Sequence, residues 1–126
     1  MPELIPGPAL IPVPGGKIIE EYIGHVSSGD DAVSVAQMLA PAGWEEPAQE
    51  PEFDEFTIVL EGSLDVEHDD GVTHVRSGQA VIARAGERVR YSTSEGARFI
   101  AVCLPAFHGE LVHREDEDEY DRDPVE

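Results

Sequence analysis

Short runs of β-forming residues recur along this chain, and clusters of turn-forming residues separate them. The runs are KIIEEYIGHV, AVSVAQML, EFTIVLEGSLDVEH, THVRS, QAVIARA, RVRYST and RFIAVCL. Between them lie breakers such as Asp69-Asp70-Gly71 and Ser94-Glu95-Gly96. Regular spacing of this kind predicts an all-β sandwich or barrel, and 126 residues are enough for one core but not for two.

The two ends of the chain depart from this pattern. Five of the first sixteen residues are proline, which predicts an extended arm over residues 1–16 that is suited to lying along a sheet edge. The barrel itself is expected to cover residues 17–112. Residues 113–126 are strongly acidic, and we expect them to form a solvated tail.

The charge balance limits the partners of the chain. It holds 27 acidic and 8 basic residues, a net charge of −19, and Lys17 is its only lysine. Such a surface repels itself in dilute salt and is screened in molar salt, so we expect a halophilic protein. Phosphate contacts require clustered Lys and Arg, so neither nucleic acid nor an anionic membrane is an expected partner.

Several features that the sequence lacks argue against a membrane protein, a secreted protein and a cysteine-based zinc or disulfide protein. No apolar run approaches the roughly 20 residues that span a bilayer, and we recognise no signal peptide, so a cytoplasmic location is expected. Cys103 is the only cysteine, which predicts neither an internal disulfide nor a cysteine zinc cluster. We expect its side chain to be a small buried hydrophobe.

A frame of glycines and one glutamate runs through the middle of the chain. It reads Gly43, Gln49, Pro51, Glu55 and Gly62, followed by Gly78, Arg84, Gly86, Val89 and Thr93. In spacing it resembles the two motifs of the cupins, G(X)5HXH(X)3,4E(X)6G and G(X)5PXG(X)2H(X)3N. The resemblance implies an all-β, single-domain cupin jelly-roll barrel.

The resemblance also raises the question of whether this chain binds a divalent metal ion at the motif positions. In cupins, the histidines and the glutamate of the motifs usually hold a divalent ion such as iron, manganese, nickel or zinc. The corresponding positions here are Gln49, Pro51, Glu55 and Val89, and shifting the spacing by one residue still supplies no imidazole. We therefore expect no His-ligated metal. A divalent metal, if bound, is predicted to use Glu55, Gln49, His108 and His113, because the segment LPAFHGELVH can fold back across the barrel mouth.

One branch of the cupins departs from the motif in a similar way. The stretch FDEFTIVLEGSL, residues 53–64, resembles cupins associated with ethanolamine utilisation, which lack the histidine pair. Cupins of this branch are linked to acetate-kinase activity and to bacterial microcompartments, and the resemblance implies no more than that association for this chain. The sequence has no Gly-rich phosphate loop, so we do not expect an ATP-dependent kinase of the P-loop kind.

Strand alternation predicts which side chains face the barrel interior. The inward set is expected to be Glu55, Thr57 and Val59 on one motif strand and Val89, Tyr91 and Thr93 on the other. The outward set is expected to be Phe56, Ile58, Leu60, Arg88 and Arg90. An outward apolar face needs a cover. We expect a homodimer to supply it, and cover from the chain's own strands stays open.

The interior carboxylate is the centre of the predicted site. A buried carboxylate needs partners, so Glu55 is expected to bond Tyr91 or Gln49, to lie at a wet barrel mouth, or to contact a ligand. Rim carboxylates that converge beside an aromatic ring would favour a cationic or polyhydroxylated ligand, an amine above all. The predicted ligand-binding residues are Glu55, Gln49, Tyr91, Thr57, Trp44, Glu52 and Asp54. The alternative is that the rim carboxylates simply face water.

Three functions from different classes remain open. The first is a cupin that binds a small molecule in the barrel without catalysis. The second is an isomerase, lyase or dioxygenase with a divergent metal site at Glu55, or with Glu55 and Tyr91 as acid and base. The third is a structural or assembly protein in which the dimer face matters more than the pocket.

Overall fold

The structure is a computed structural model that describes residues 1–115, and these residues form an eight-stranded β-barrel with one short helix. The strands are β1 (Ala9–Ile11), β2 (Ile18–Ile23), β3 (Ser34–Ala40), β4 (Asp54–His68), β5 (Gly71–Arg76), β6 (Ala80–Ala83), β7 (Arg90–Ser92) and β8 (Ala97–Leu104). The helix α1 covers Gly109–Val112. Each run that was predicted from the sequence contains one strand, so the all-β prediction is confirmed.

All of the strand pairs are antiparallel, and β4 connects the two sides of the barrel. The strand order is β1-β2-β3-β8-β4-β5, with β6 and β7 also paired to β4. The first half of β4 pairs with β8 and β6, and its second half pairs with β5 and β7. A strand of 15 residues can serve both sides only if it bends in the middle.

The bend lies at Gly62. The register between β4 and β8 shifts between Val59 and Glu61, and Gly62 follows with a φ of 77°. Glycine adopts this φ without steric cost, whereas a side chain would be strained. A Cβ atom here would also overlap the carbonyl oxygen of Gly96. Bulge and glycine together turn β4 from one sheet to the other, as is common at barrel corners.

The alternation expected along the two motif strands is present. Thr57 and Val59 are buried, while Ile58 is 44% exposed and Leu60 is 36% exposed. On the second strand, Val89, Tyr91 and Thr93 are buried, and Arg88 and Arg90 are partly exposed. Of the inward residues, Val59, Val89 and Tyr91 belong to the main core, which also contains Trp44, Leu64, Val66, Val75 and Phe99.

Two elements of the structure, β1 and α1, lie outside the runs that were predicted as strands. Within the predicted arm, β1 pairs with β2, which makes it the edge strand of the sheet. No helix was predicted, but α1 is present, because the His108 side chain caps its first turn by accepting from the backbone N–H of Glu110. A helix of four residues carries too little periodicity to be predicted. Most of the predicted acidic tail, residues 116–126, lies outside the described residues.

Within residues 1–115, no helix has the length and apolarity needed to cross a membrane.

Candidate functional site

A cavity of about 60 Å³ lies inside the barrel. Its apolar wall comes from the N-terminal arm, β2, β3, β8 and Phe107. Its charged side chains are Lys17, Glu21, Glu46, Glu55 and Arg114. A space of this size has room for a few water molecules or for a ligand group of a few non-hydrogen atoms. Five charged groups around so small a space are uncommon in a barrel interior, where unpaired charge is costly.

Glu55 lies on β4, which runs between β6 and β8 at this position. It is opposite Ala83 on β6 and Cys103 on β8. The hydroxyl of Tyr91 donates a hydrogen bond to Glu55 Oε1 at 3.1 Å. Burial, and then the nearby charge of Glu46, raise the pKa of Glu55 to about 7, although the Tyr91 hydrogen bond and two cations oppose them. Glu55 can therefore take up or release a proton near neutral pH.

The phenol of Tyr91 stays protonated under the same conditions. Burial, and then the charge of Glu55, raise the pKa of Tyr91 well above its ordinary value. Tyr91 therefore acts as a hydrogen-bond donor to Glu55 and not as a second group that titrates near neutrality. The bond to Tyr91 is one of the alternatives expected for Glu55 from the sequence.

Lys17 and Glu46 form a buried ion pair beside Glu55. Their Nζ and Oε1 atoms are 3.3 Å apart, and their side chains are only 9% and 5% exposed. The ammonium of Lys17 also lies over the ring of Trp44, 4.6 Å from its centroid. The cation is thus attracted by a carboxylate and by an aromatic face.

Two further polar residues complete the cavity wall. The backbone of Gln49 is fixed by N–H to carbonyl bonds with Val89 in both directions, at 2.8 and 2.9 Å. Its side chain is buried, and Oε1 has no hydrogen-bond partner among the described residues. Glu21 Oε2 accepts the backbone N–H groups of Val26 and Ser27, each at 2.9 Å. Glu21 thereby holds the β2–β3 loop in place.

A larger cleft of about 700 Å³ lies next to the cavity. The two spaces share a wall formed by Ile11, Val13, Glu21, Phe107 and Arg114. The remaining wall of the cleft includes the arm and the rings of His25 and His108, whose centroids are 4.9 Å apart in an edge-on arrangement. The shared wall shows that the cleft and the cavity are adjacent.

The structure brings together some of the residues that the sequence predicted for the site. Glu55 and Gln49 line the cavity, Tyr91 contacts Glu55, and Trp44 contacts Lys17. Thr57 points inward as expected, with its Oγ1 buried and without a partner among residues 1–115, but it does not line the cavity.

Glu52 and Asp54 are corrections to the predicted site, because they do not converge with Glu55. Asp54 points outward, where it accepts the backbone N–H of Ala85 at 2.9 Å and lies 3.6 Å from Arg84. Glu52 is exposed and pairs with the imidazole of His113. Alternation along the strand explains Asp54, since a neighbour of an inward Glu55 must face the other way.

The residues present do not fit a divalent metal held in the cupin manner. Pro51 and Val89 occupy two of the ligand positions and have no donor atoms. His113 is engaged by Glu52, and the Nδ1 of His108 caps α1. Both histidines line the adjoining cleft and not the cavity that Glu55 lines. Within residues 1–115, no three His, Cys, Asp or Glu side chains are grouped so that they could hold a metal ion.

Sequence reasoning missed Lys17, Glu46, Glu21 and Arg114. A signal for two of them was present, because the alternation that turns Ile19 inward also turns Lys17 and Glu21 inward. Glu46 and Arg114 lie outside the regular strands, where alternation gives no guidance. Only the tertiary fold brings them to the cavity.

Comparison with known proteins places this chain in a family. The family described as "Ethanolamine utilisation protein EutQ" matches residues 48–110, half of the chain. A curated protein of Myxococcus xanthus (strain DK1622), "Endoribonuclease YbeY", is 45% identical over 108 residues, which are 84% of this chain. The chain spans only 37% of the length of that relative.

Solved structures of low sequence identity share the fold. The EutQ protein of Clostridium difficile superposes with a TM-score of 0.59 at 21% identity, covering 72% of this chain and 65% of that one. An RmlC-like cupin of Shewanella frigidimarina gives a TM-score of 0.70 at 13% identity, covering 82% and 89%. The predicted cupin jelly roll is thus confirmed. The family match over half of the chain, with this fold around it, shows that the chain belongs to the EutQ family of the cupin superfamily.

Proposed function

We propose that the chain binds a small molecule in its barrel and does so without a His-ligated metal. The observation that supports this most is the cavity of about 60 Å³ with its five charged side chains. A barrel that served only as a scaffold would be more stable with apolar side chains in these positions, since buried ion pairs rarely stabilise a fold. A ligand accounts for the retained charges, because they can orient its polar groups.

A cavity-filling variant tests this proposal. Ala36 on β3 is buried and lines the cavity, so Ala36→Leu places a larger side chain in the ligand's space. A panel of small amines, acids, alcohols and sugars is screened by thermal unfolding of the wild type. We expect at least one class to raise the midpoint of the wild type and to leave that of Ala36→Leu unchanged.

The exposed substitution Ala85→Leu is the matched control and should respond like the wild type. Circular dichroism establishes that both variants are folded. The proposal fails if no compound stabilises the wild type, or if the stabilised midpoint rises equally in Ala36→Leu.

A catalytic role is the second candidate, and the hydrogen bond from Tyr91 to Glu55 favours it. A carboxyl with a pKa of about 7 beside a phenol donor can exchange a proton with a bound substrate, as an isomerase or lyase requires. The expected result is turnover of a compound that stabilises the wild type, and loss of turnover in Glu55→Gln even at compound concentrations that saturate the variant. Binding without any turnover across the panel would contradict this role.

We also propose that the outward face of β4, β6 and β8 forms a homodimer interface. Ile58, Ile82 and Leu104 are 44%, 51% and 43% exposed, and Leu60 lies beside them. Adjacent apolar side chains on a sheet face usually mark an association site. Sedimentation of the wild type is expected to give a dimer, and Ile58→Lys a monomer. A monomeric wild type at micromolar concentration would contradict the interface and, with it, an assembly role.

The Myxococcus relative suggests a partner for the chain. Because that protein is named as an endoribonuclease and this chain spans 37% of it, we infer that the cupin unit works beside a nuclease. The net charge of −19 argues against RNA contacts by the unit itself. Co-expression with an endoribonuclease of the YbeY type should give co-purification, and the chain alone should not shift RNA in a gel. Separate elution of the two proteins would contradict the pairing.

A further inference from the structure

Among residues 1–115, the charges that line the cavity do not balance when Glu55 is ionised. Three carboxylates, from Glu21, Glu46 and Glu55, face two cations, from Lys17 and Arg114. With Glu55 ionised, the lining therefore carries one more negative than positive charge. An uncompensated charge inside a protein is costly, so this lining favours a ligand that brings one positive charge.

We propose that the cavity accepts a small protonated amine, with its ammonium group beside Glu55. This inference rests on the proposed function, because it names the ligand class of the same cavity. The limited volume of about 60 Å³ admits only the amine and a few further atoms.

The hydrogen bonds of Lys17, Tyr91 and Gln49 support an amine more than an acid. The ammonium of Lys17 is engaged by Glu46 and by the ring of Trp44, and the hydroxyl of Tyr91 already donates to Glu55. Buried Gln49 Oε1, in contrast, is an acceptor without a partner among the described residues. An ammonium supplies donors to such acceptors, whereas a carboxylate ligand would add more acceptors and a second excess negative charge.

The protonation of Glu55 gives the proposal a pH signature. Its pKa of about 7 means that Glu55 is mostly neutral at pH 6 and mostly ionised at pH 8. Amine affinity should therefore be about tenfold higher at pH 8 than at pH 6, because only the ionised form supplies the excess charge. The titratable or charged groups that surround Glu55 are Tyr91, Glu46, Lys17, Arg114, Cys103 and Glu21.

The experiment uses ethylammonium chloride, which is protonated at both pH values, and measures its affinity by calorimetry at constant ionic strength. Ethanol, sodium acetate and potassium chloride are the neutral, anionic and inorganic comparisons. We expect wild-type protein to bind ethylammonium, about tenfold more tightly at pH 8 than at pH 6. Glu55→Gln, whose amide can still accept from Tyr91, should lose at least tenfold at pH 8. Exposed Glu95→Gln should behave as the wild type.

The other outcomes separate this inference from the proposed function. If ethanol or acetate binds the wild type more tightly than ethylammonium, and Ala36→Leu abolishes that binding, the cavity is a binding site but not an amine site. Equal binding of potassium and ethylammonium overturns the choice of an amine. Unchanged affinity in Glu55→Gln does so too. If no compound of these or of the wider panel binds, the proposed function fails together with this inference.

Discussion

Glu55 is the residue whose environment departs most from that of an ordinary carboxyl group. Its carboxylate accepts a hydrogen bond from Tyr91, but it is buried and lies near the charge of Glu46. Ionising Glu55 therefore costs more free energy than ionising a solvated glutamate. A raised pKa means that the folded protein holds this proton more tightly than the unfolded chain. Stability must then fall as pH rises from the unfolded pKa of 4.5 towards the folded value of about 7.

The first prediction concerns Glu55→Gln. The substitution removes the ionisation penalty, so the free energy of unfolding should exceed that of the wild type by about 2 to 3 kcal/mol at pH 8, and the gain should be much smaller at pH 5. Urea unfolding at the two pH values measures the difference, with Glu95→Gln as the exposed control. Parallel pH dependences of wild type and Glu55→Gln would show that Glu55 is solvated.

The second prediction concerns Lys17. Lys17→Met leaves the buried carboxylate of Glu46 without its cation, which should cost about 3 to 5 kcal/mol of unfolding free energy. Adding Glu46→Gln should restore most of that loss, because no charge then stays unpaired. Arg88→Met breaks an exposed ion pair with Glu115 and should change urea unfolding little. A double variant as unstable as Lys17→Met alone would refute the pairing.

At this scale the sequence could predict part of the site. The contact of Glu55 with Tyr91 follows from two inward strands on facing sides of one barrel, which alternation can predict. The pairing of Lys17 with Glu46 joins residues 29 apart through a loop whose path no periodicity determines. Glu52 and Asp54 were placed in the site because they are near Glu55 in sequence, which is a poor guide where neighbours point to opposite faces.

Among the elements, β4 matters most, because every strand except β1, β2 and β3 pairs with it. The sequence predicted this strand almost to its ends, since its apolar and β-branched residues form one long run. The bend at Gly62 could be suspected from the glycine, but its partner across the sheet could not. The short helix α1 was missed, because its stability comes from a cap and from the burial of Val112 rather than from propensity.

The third prediction tests the bend. Gly62→Ala combines a strained φ with overlap of the Gly96 carbonyl, and should lower the free energy of unfolding by about 2 to 5 kcal/mol. Gly43 has a similar φ of 83°, with nothing near its Cβ position, so Gly43→Ala should cost only about 1 to 2 kcal/mol. Equal losses in urea unfolding would mean that the close approach to Gly96 relaxes without cost.

For the whole molecule, charge is the dominant property. Four arginines with exposed or partly exposed side chains, Arg84, Arg88, Arg90 and Arg98, each pair with a carboxylate, yet the net charge stays at −19. Most carboxylates therefore face one another across solvent, and their repulsion opposes the compact state. Salt weakens that repulsion, because the Debye length falls from about 30 Å at 0.01 M to about 3 Å at 1 M.

The fourth prediction follows from this repulsion. The thermal unfolding midpoint should rise with sodium chloride between 0.01 and 1 M and then level off, once screening is nearly complete. The rise should be smaller at pH 4.5, where many carboxylates are protonated. A midpoint that does not depend on salt at pH 7.5 would argue against a halophilic protein.

The position of Lys17 has a consequence for chemical labelling. The chain's only side-chain amine and its only thiol both line the small cavity inside the barrel, and burial raises the pKa of Cys103, which keeps that thiol unreactive. Reagents that acylate lysine or alkylate cysteine should therefore leave both side chains unmodified as long as the barrel stays folded. Each modification that mass spectrometry detects at either position would record one opening event. The rate of labelling at Lys17 and Cys103 would therefore measure how often the folded barrel opens.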